Sequence, residues 1–389
     1  MNKFKRLNLF ILIIIFSFCP FIITGCQDKN EIESLGFVSA LGVDLDDNNN
    51  FMVSLQVIRR GISLEQNQNT RALVYVSSGK TINEAISNIS RQLSEKIKFS
   101  NEKCIVIGEK LAEHGIQSVI DFSLRVNDVR PVVPILITKG TAVDIIKTRT
   151  KENSVSGYDI GDMVRKQRDL GVIGKCTNLD FEENKNEGVN VCGLISKGNL
   201  RDNKSEYDLI VSGSAVLEKY KLVGYMNEEE TRGMNWINGR IKHGSILIQD
   251  DNAGKINLNI LSSKSRLTAS IGRNGIHINV NIKEKSSINE INQDVVQSLD
   301  FNTSPHKLDF LAKKQDKVIY NEAVSAINAS KNRLSVDVFG FGDLLYKKHP
   351  DEWEKIKENW NKNFGNLQIN VDVSSTIKHT GLLSKSISY

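Results

Sequence analysis

The chain has 389 residues, of which 40% are hydrophobic and 25% are charged, a composition that is ordinary for a globular protein. Its formal net charge is +5, but Lys3, Lys5 and Arg6 supply three of these charges, which leaves +2 for residues 26–389. This balance excludes binding to nucleic acid through a broad basic surface, so we expect no nucleic acid partner. Five cysteines are too few for a disulfide scaffold of this length.

Residues 1–25 are organised like a bacterial lipoprotein signal peptide. A basic start precedes about sixteen mostly apolar residues, fewer than the roughly 20 that a bilayer-spanning helix needs. The run ends in ITGC (23–26), which resembles the lipobox, where an aliphatic residue and two small residues precede an obligatory cysteine. The resemblance implies cleavage before Cys26 and a diacylglyceryl thioether on its thiol, so we expect Cys26 to anchor the chain to a membrane. An uncleaved anchor and an ordinary secretion signal are the alternatives.

Residues 26–200 alternate between strand and helix patterns. We predict a hairpin of strands at 37–45 and 51–59, strands at 72–78, 103–108 and 132–139, and helices at 81–97, 110–125 and 141–148. Thr81, with Glu84 three residues later, predicts a capping box at the first helix. The alternation predicts an N-terminal α/β domain, possibly of two subdomains, with helices packed on a sheet. Residues 149–205 show no clear pattern, and we place a domain boundary at 200.

Residues 201–389 predict a C-terminal α+β domain. A hairpin at 209–219 and 221–227 leads into a helix that begins at Glu228. Strands are predicted at 245–250, 255–264, 266–272, 275–284 and 367–378, and long helices at 305–331 and about 350–362. The pattern is that of an antiparallel sheet carrying long helices. The predicted fold class of the whole chain is therefore α+β (mixed α/β), with several domains and sheets flanked by helices.

The sequence contains no recognisable catalytic motif or metal-ligand spacing of histidines, so we expect no enzyme, no cofactor and no metal. The consecutive acids at 228–230 cannot form the two opposed walls of a glycosidase site. They suit the first turn of a helix capped by Asn227, where acids favour the helix dipole. Cys104 lies in an apolar run and is expected to be a buried thiol. Cys176 and Cys192 could pair or stay free, and the sequence leaves both alternatives open.

Two segments offer candidate surfaces. In the helix that begins at Glu228, Arg232 and Trp236 share a face, and Gly233 indicates close approach of another backbone, from within the fold or from a partner. Farther along, Trp353 and Trp360 recur at helical spacing, which fits either core packing or an aromatic patch for a partner.

These segments carry a resemblance to a known family. The sequences GSAVLEKYKLVGYMNEEETRGMNWINGRI and DVFGFGDLLYKKHPDEWEKIKENW, followed by INVDVSSTIKHTG, resemble signatures of the Ger(x)C spore-germination lipoproteins. The start GCQDKNEIESLGFVSALGVDLD is similar to the start of that family, although an aromatic residue often follows the cysteine there and Gln27 stands here. The resemblance covers essentially the whole chain after Cys26.

The resemblance implies the C subunit of a nutrient germinant receptor, without enzymatic activity. The implied partners are a multi-spanning A subunit and a transporter-like B subunit in the spore inner membrane, with this chain lipid-anchored on the outer face. Contact with a small-molecule germinant stays open. We predict Glu229, Glu230, Arg232 and Trp236 as partner-binding residues, although Trp236 also fits a core position.

Two other functions share the lipobox. A lipid-anchored substrate-binding protein of a transporter usually has two similar α/β lobes, which the unlike halves of this chain do not favour. A lipid-anchored cell-wall hydrolase needs a catalytic pair, which the sequence does not show.

Overall fold

The computed structural model describes residues 34–58, 72–148, 155–183, 188–199, 207–250, 254–272, 275–292 and 305–379. The predicted signal peptide and Cys26 lie outside the described residues. None of the helices in the described ranges is long and apolar enough to cross a membrane. The fold is mixed α/β, with two sheets flanked by helices, as the sequence predicts.

Nine of the described strands form the first sheet. They are β1 (Leu35–Leu45), β2 (Phe51–Ile58), β3 (Ala72–Gly79), β4 (Lys96–Lys98), β5 (Cys104–Gly108), β6 (Ile135–Thr138), β7 (Val189–Asn199), β8 (Tyr207–Glu218) and β9 (Lys221–Met226). Their order is β3-β2-β1-β5-β6-β7-β8-β9, and β4 pairs with β1. The centre, β1-β5-β6-β7, is parallel, while the hairpins at both edges are antiparallel. Parallel strands require helical crossovers, which explains the alternating pattern of the sequence.

Six helices cover the two faces of the first sheet. They are α1 (Ile82–Ser90), α2 (Glu109–His114), α3 (Gln117–Arg125), α4 (Ala142–Lys147), α5 (Ser156–Leu170) and α6 (Asn178–Glu183). One face packs against α1, α2, α3 and α6, and the other packs against α4 and α5. In β5, Ile105 and Ile107 face the first of these cores, while Cys104 and Val106 face the second. A central strand covered on both faces is apolar throughout, because successive side chains point to opposite sides.

Around the first sheet, the secondary structure differs from the sequence prediction in three places. The helix predicted at 81–97 ends at Ser90, and the chain turns into β4. The helix predicted at 110–125 is two helices, because Gly115 adopts a φ of 132° that ends α2. The unpatterned stretch 149–205 contains α5, α6 and β7, which the sequence did not predict.

The predicted domain boundary at 200 falls inside a hairpin. Strands β7 and β8 pair antiparallel from Val189↔Glu218 to Asn199↔Tyr207, so the first sheet continues through β9 to Met226. The change from one sheet to the other lies between Met226 and the start of β10 at Ser245. The two strands after 200 therefore belong with the N-terminal layer, because their hydrogen-bond partners are there.

The second sheet has four described strands in the order β10-β11-β12-β13. They are β10 (Ser245–Asp250), β11 (Gly254–Gly272), β12 (Gly275–Asn292) and β13 (Gln368–His379). The strands predicted at 255–264 and 266–272 are one strand, with register shifts between Asn257 and Leu258 and between Ile260 and Ser262. The sheet is antiparallel except that β13 runs parallel to β12. A long helical connection between them permits this direction.

The helices of the second part pack on this sheet. They are α7 (Glu228–Ile237), α8 (Pro305–Asn328), α9 (Phe341–Lys348), α10 (Pro350–Ile356) and α11 (Trp360–Gly365), and a π-helical turn (Ala329–Leu334) follows α8. Their shared core also contains Val191, Val216 and Met226 of the first sheet. The two sheets are therefore joined by apolar packing as well as by the chain.

Candidate functional site

The predicted helix start after the β8–β9 hairpin is confirmed at atomic detail. The backbone N–H of Glu230 donates to Asn227 Oδ1 at 2.8 Å, and the N–H of Asn227 donates to Glu230 Oε2 at 2.9 Å. This reciprocal pair is a capping box, and it begins α7. Glu228 and Glu229 remain exposed in the first turn. Glu230 is therefore used within the fold, while Glu229 offers its carboxylate to the surface.

Arg333, just after α8, ties this helix start to the rest of the molecule. Its Nη2 donates to Glu230 Oε2 at 2.6 Å, and its Nη1 donates to the carbonyl oxygen of Tyr225 at 2.6 Å. The Tyr225 hydroxyl in turn donates to Glu109 Oε1 at 2.6 Å. Hydrogen bonds from Arg333 thus join the start of α7 to strand β9 and to the π-helical turn after α8.

The predicted pair Arg232 and Trp236 lies beside a buried carboxylate. The Trp236 side chain is fully buried, and its Nε1 donates to Glu322 Oε2 at 2.6 Å. Arg232 Nη2 donates to the carbonyl oxygen of Ser245 at 2.7 Å, and Arg232 Nε lies 3.5 Å from the same Glu322 oxygen. Burial raises the pKa of Glu322, while Arg232 and Trp236 oppose that rise. Trp236 is thus a packing residue with no surface for a partner, and the Arg232 side chain is mostly buried, with 19% of its surface exposed.

Gly233 lies where α7 packs closely against another backbone. A Cβ at Gly233 would lie 1.9 Å from the carbonyl oxygen of Glu322 and 3.0 Å from Ala326 Cβ. The backbone that approaches closely is therefore that of α8, within the fold.

The second candidate segment forms a cavity of about 580 Å³, which we call the indole pocket. Its walls include Trp353, Trp360, Gly342, Asp337 and Glu218. The two indoles meet edge to face, with ring centroids 5.1 Å apart. A Cβ at Gly342 would lie 2.9 Å from Trp353 and 3.1 Å from Trp360, so only glycine lets both rings pack there. Both rings are half-buried, and each packs on one side while lining the pocket on the other.

Asp337 holds the floor of the indole pocket. Its carboxylate accepts hydrogen bonds from the backbone N–H of Gly342 at 2.8 Å, from that of Phe339 at 3.1 Å, and from the Trp360 indole. Burial raises the pKa of Asp337 to about 6, and these donors limit the rise. Because its oxygens are already engaged, Asp337 shapes the turn and orients Trp360 rather than acting on a substrate.

The β8–β9 turn closes the indole pocket from the first sheet. Lys219 and Tyr220 occupy the turn with φ of 47° and 69°, a left-handed conformation that is uncommon for residues other than glycine. Tyr220 stacks on Phe181 with centroids 5.7 Å apart, and Glu218 Oε1 accepts from Asn361 Nδ2 at 2.7 Å. Both signature segments named above therefore meet at this pocket.

The three described cysteines are buried thiols, which confirms the prediction for Cys104. Cys176 and Cys192 are not bonded to each other, although their side chains are in contact. Burial, and then the hydrogen bond with Cys192, raises the pKa of the Cys176 thiol. In the described ranges, no group of three or more His, Cys, Asp or Glu residues could hold a metal ion.

Sequence reasoning missed two buried glutamates. Glu102 is fully buried, and no donor among the described residues hydrogen-bonds its carboxyl oxygens. Burial raises its pKa to about 8, so it is neutral near pH 7. Glu284 on β12 is also buried, and Gln315 Nε2 donates to it at 2.7 Å. A single glutamate at the end of an apolar run carries no local signal of burial, which arises only when the layers assemble.

Comparison of the sequence with known protein families identifies the family of this chain. The profile described as "Spore germination protein N-terminal domain" matches residues 28–194, and "Spore germination B3/ GerAC like, C-terminal" matches residues 212–381. The chain belongs to the Ger(x)C family of spore germination proteins. Among its relatives, spore germination protein KC of Bacillus subtilis (strain 168) is 25% identical, with 95% of each chain covered. Spore germination protein B3 of the same organism is 23% identical, with 93% of this chain and 95% of the relative covered.

A solved structure shares the fold of this Ger(x)C protein. The crystal structure of the GerBC protein superposes with a TM-score of 0.57, covering 87% of this chain and 96% of that chain. At 18% sequence identity this likeness concerns the fold alone.

Proposed function

We propose that this protein is the C subunit of a nutrient germinant receptor. In this proposal Cys26 carries the lipid anchor, and the chain lies on the outer face of the spore inner membrane. It acts in germination by assembling with the A and B receptor subunits and performs no catalysis. The observation that carries the proposal is the match of two germination-family profiles, in order, over residues 28–194 and 212–381.

We assign partner contact to the surface around the start of α7. Glu229 is exposed there, Arg232 is mostly buried with 19% of its side chain exposed, and Glu230 is engaged in the capping box. Trp236 supports this surface from inside, through its contact with Glu322. Charged residues at a capped helix start suit electrostatic recognition of a partner, which governs specificity and association rate.

The alternative of a transporter's substrate-binding protein is not favoured by the fold. That class usually has two similar α/β lobes, whereas the described strands here form a nine-stranded mixed sheet and a four-stranded sheet of different topology. The two halves of the chain are therefore not repeats of one lobe.

Co-isolation from spore membranes tests the proposed function. An affinity-tagged chain, solubilised in mild detergent, should bring down a multi-spanning A-type and a transporter-like B-type subunit. Recovery of the folded, membrane-bound chain without either subunit would overturn the proposal.

Charge variants test the assigned surface separately. Glu229→Lys should lower recovery of the partners, while the melting temperature of the purified chain stays close to that of wild type. Arg232→Ala should also lower recovery, but its melting temperature should fall, because it removes the charge beside buried Glu322 and the hydrogen bond to Ser245. Glu183→Lys reverses an exposed charge at the end of α6 and should leave recovery unchanged. Full recovery with both surface variants would move the interface elsewhere without refuting the receptor role.

A further inference from the structure

A second cavity, of about 360 Å³, lies at the edge of the first sheet where β5 and β6 begin. We call it the basic pocket, because its lining contains five cationic side chains and a single carboxylate. The cations are Lys103, Arg130, Arg165, Arg168 and Lys175, and the carboxylate is Asp162. The volume is within the range of small-ligand sites. Such an excess is notable in a chain whose net charge after residue 25 is close to neutral.

Two of the five cations have carboxylate partners nearby. Arg165 pairs with Asp162 one helical turn away, and Lys175 Nζ lies 3.7 Å from Asp180 Oδ1. Both pairs are largely exposed on the cationic side, so water screens them and an incoming anion can compete.

Lys103 and Arg130 contact neutral groups instead. Lys103 Nζ lies 5.1 Å from the centroid of the Tyr158 ring, and Arg130 Nη2 donates to the carbonyl oxygen of Glu102 at 3.0 Å. The Glu102 carboxyl does not cancel the charge of Arg130 near pH 7, because burial holds it in the neutral form. The lining of the pocket therefore carries more positive than negative charge.

Apolar side chains are exposed at the rim of the basic pocket. Val132 lines the pocket and is 60% exposed, and Leu179 is 40% exposed. The N–H of Leu179 donates to the carbonyl oxygen of Pro131 at 3.1 Å, which places it beside the Val132 loop. Exposed apolar residues next to cations are the combination that favours an anionic lipid surface over a free anion.

The basic pocket faces the end of the molecule where the chain enters the fold. Strands β1, β5 and β6 run parallel from the same end of the sheet, with Ala40 paired to Cys104 and Ile105 to Ile135, and β1 begins five residues before the start of β5. The described chain starts just ahead of β1, and the eight residue steps back to Cys26 span at most about 29 Å. If Cys26 carries lipid, as the proposed function holds, the start of β1 lies within that distance of the membrane surface, and the starts of β5 and β6 lie about five residues farther along β1.

We propose that the basic pocket binds the phosphate group of an anionic phospholipid headgroup. The planar guanidinium groups of Arg130, Arg165 and Arg168 suit the bidentate geometry of phosphate oxygens. Binding there would give the anchored chain a second point of contact with the membrane, which fixes its orientation as a single attachment at Cys26 does not.

Vesicle binding without the anchor tests this proposal. The mature chain from residue 26, with Cys26→Ser so that no lipid is attached, retains every described element. It should co-sediment with vesicles of equimolar phosphatidylglycerol and phosphatidylcholine far better than with phosphatidylcholine alone. Arg168→Gln and Lys103→Gln should each weaken that binding about fivefold, which corresponds to about 1 kcal/mol per cation at a membrane surface.

The matched control is Lys166→Gln, which removes an exposed cation from the same helix outside the pocket lining. It should leave vesicle binding unchanged, and all three variants should melt as the parent does. An equal loss with Lys166→Gln would overturn the pocket in favour of general surface charge. Stabilisation by inorganic phosphate, without preference for anionic vesicles, would overturn the lipid assignment and indicate a soluble anion. Because these assays use no anchor and no partner, their failure leaves the receptor proposal standing, and the converse also holds.

Discussion

Replacing Gly233 with alanine tests how tightly α7 and α8 pack. The new Cβ would lie 1.9 Å from the carbonyl oxygen of Glu322, whereas carbon normally packs at roughly 3.5 Å. No rotamer relieves a clash between two backbones, so the helices must move apart and weaken the 2.6 Å hydrogen bond from Trp236 to Glu322. Overpacking and the weakened hydrogen bond together lower the free energy of unfolding by about 4 kcal/mol. The higher helix propensity of alanine raises it by about 1 kcal/mol.

The expected net loss for Gly233→Ala is therefore about 3 kcal/mol, which lowers the melting temperature of a chain of this length by about 4 °C. Thermal unfolding followed by circular dichroism measures the shift. The control is Gly365→Ala at the end of α11, where a Cβ would meet nothing within 4 Å. That variant should change stability by less than about 0.5 kcal/mol. A Gly233→Ala protein that melts with the wild type would refute the close contact of the two helices.

Two further predictions concern buried carboxyls. For Glu102, a folded pKa of about 8 against an ordinary 4.5 means that the folded state holds the proton longer, so stability falls as pH rises through this window. Between about pH 5.5 and pH 7.5 this effect should lower the free energy of unfolding by about 2.5 kcal/mol, and Glu102→Gln should abolish that decrease in urea unfolding experiments. The control Glu113→Gln, at an exposed site, should leave the decrease in place. If the free energy of unfolding depends on pH equally in wild type and Glu102→Gln, Glu102 is not buried as described. Trp360→Phe removes one donor to Asp337 and should cost about 2 kcal/mol near pH 7.5 and less near pH 5, where that carboxyl is protonated. A pH-independent cost would indicate lost packing alone.

Local pattern was sufficient for much of the fold. The hairpin β1–β2, the strands β3, β5 and β6 and the start of α7 follow from alternation and capping, which are properties of adjacent residues. The helix α5 was not predicted because its buried face includes Ser156 and Gly157 beside Ile160 and Val164. A Cβ at Gly157 would lie 2.8 Å from the carbonyl oxygen of Ser39, so small residues let this helix approach the sheet. Because small residues form part of the buried face, the helix lacks the regular hydrophobic periodicity from which a helix is predicted.

The direction of a strand in its sheet and the assembly of a pocket from distant segments cannot be predicted from the local sequence pattern. Strand β13 pairs parallel to β12 because the helices after residue 305 bring the chain back to the end of the sheet where β12 begins. The sequence of the strand itself does not indicate this direction. The basic pocket draws its lining from separate stretches around Lys103, Arg130, Arg165 and Lys175. In the sequence each of these is an ordinary exposed cation, and only the parallel start of β5 and β6 brings them together.

Germination of spores carrying Cys26→Ala tests the receptor role most directly. We expect the altered chain to leave the membrane fraction, and these spores to respond slowly to nutrients yet normally to agents that bypass germinant receptors. Spores that respond normally to every nutrient recognised by the parent strain, although the chain is demonstrably absent from the membrane, would contradict the receptor role.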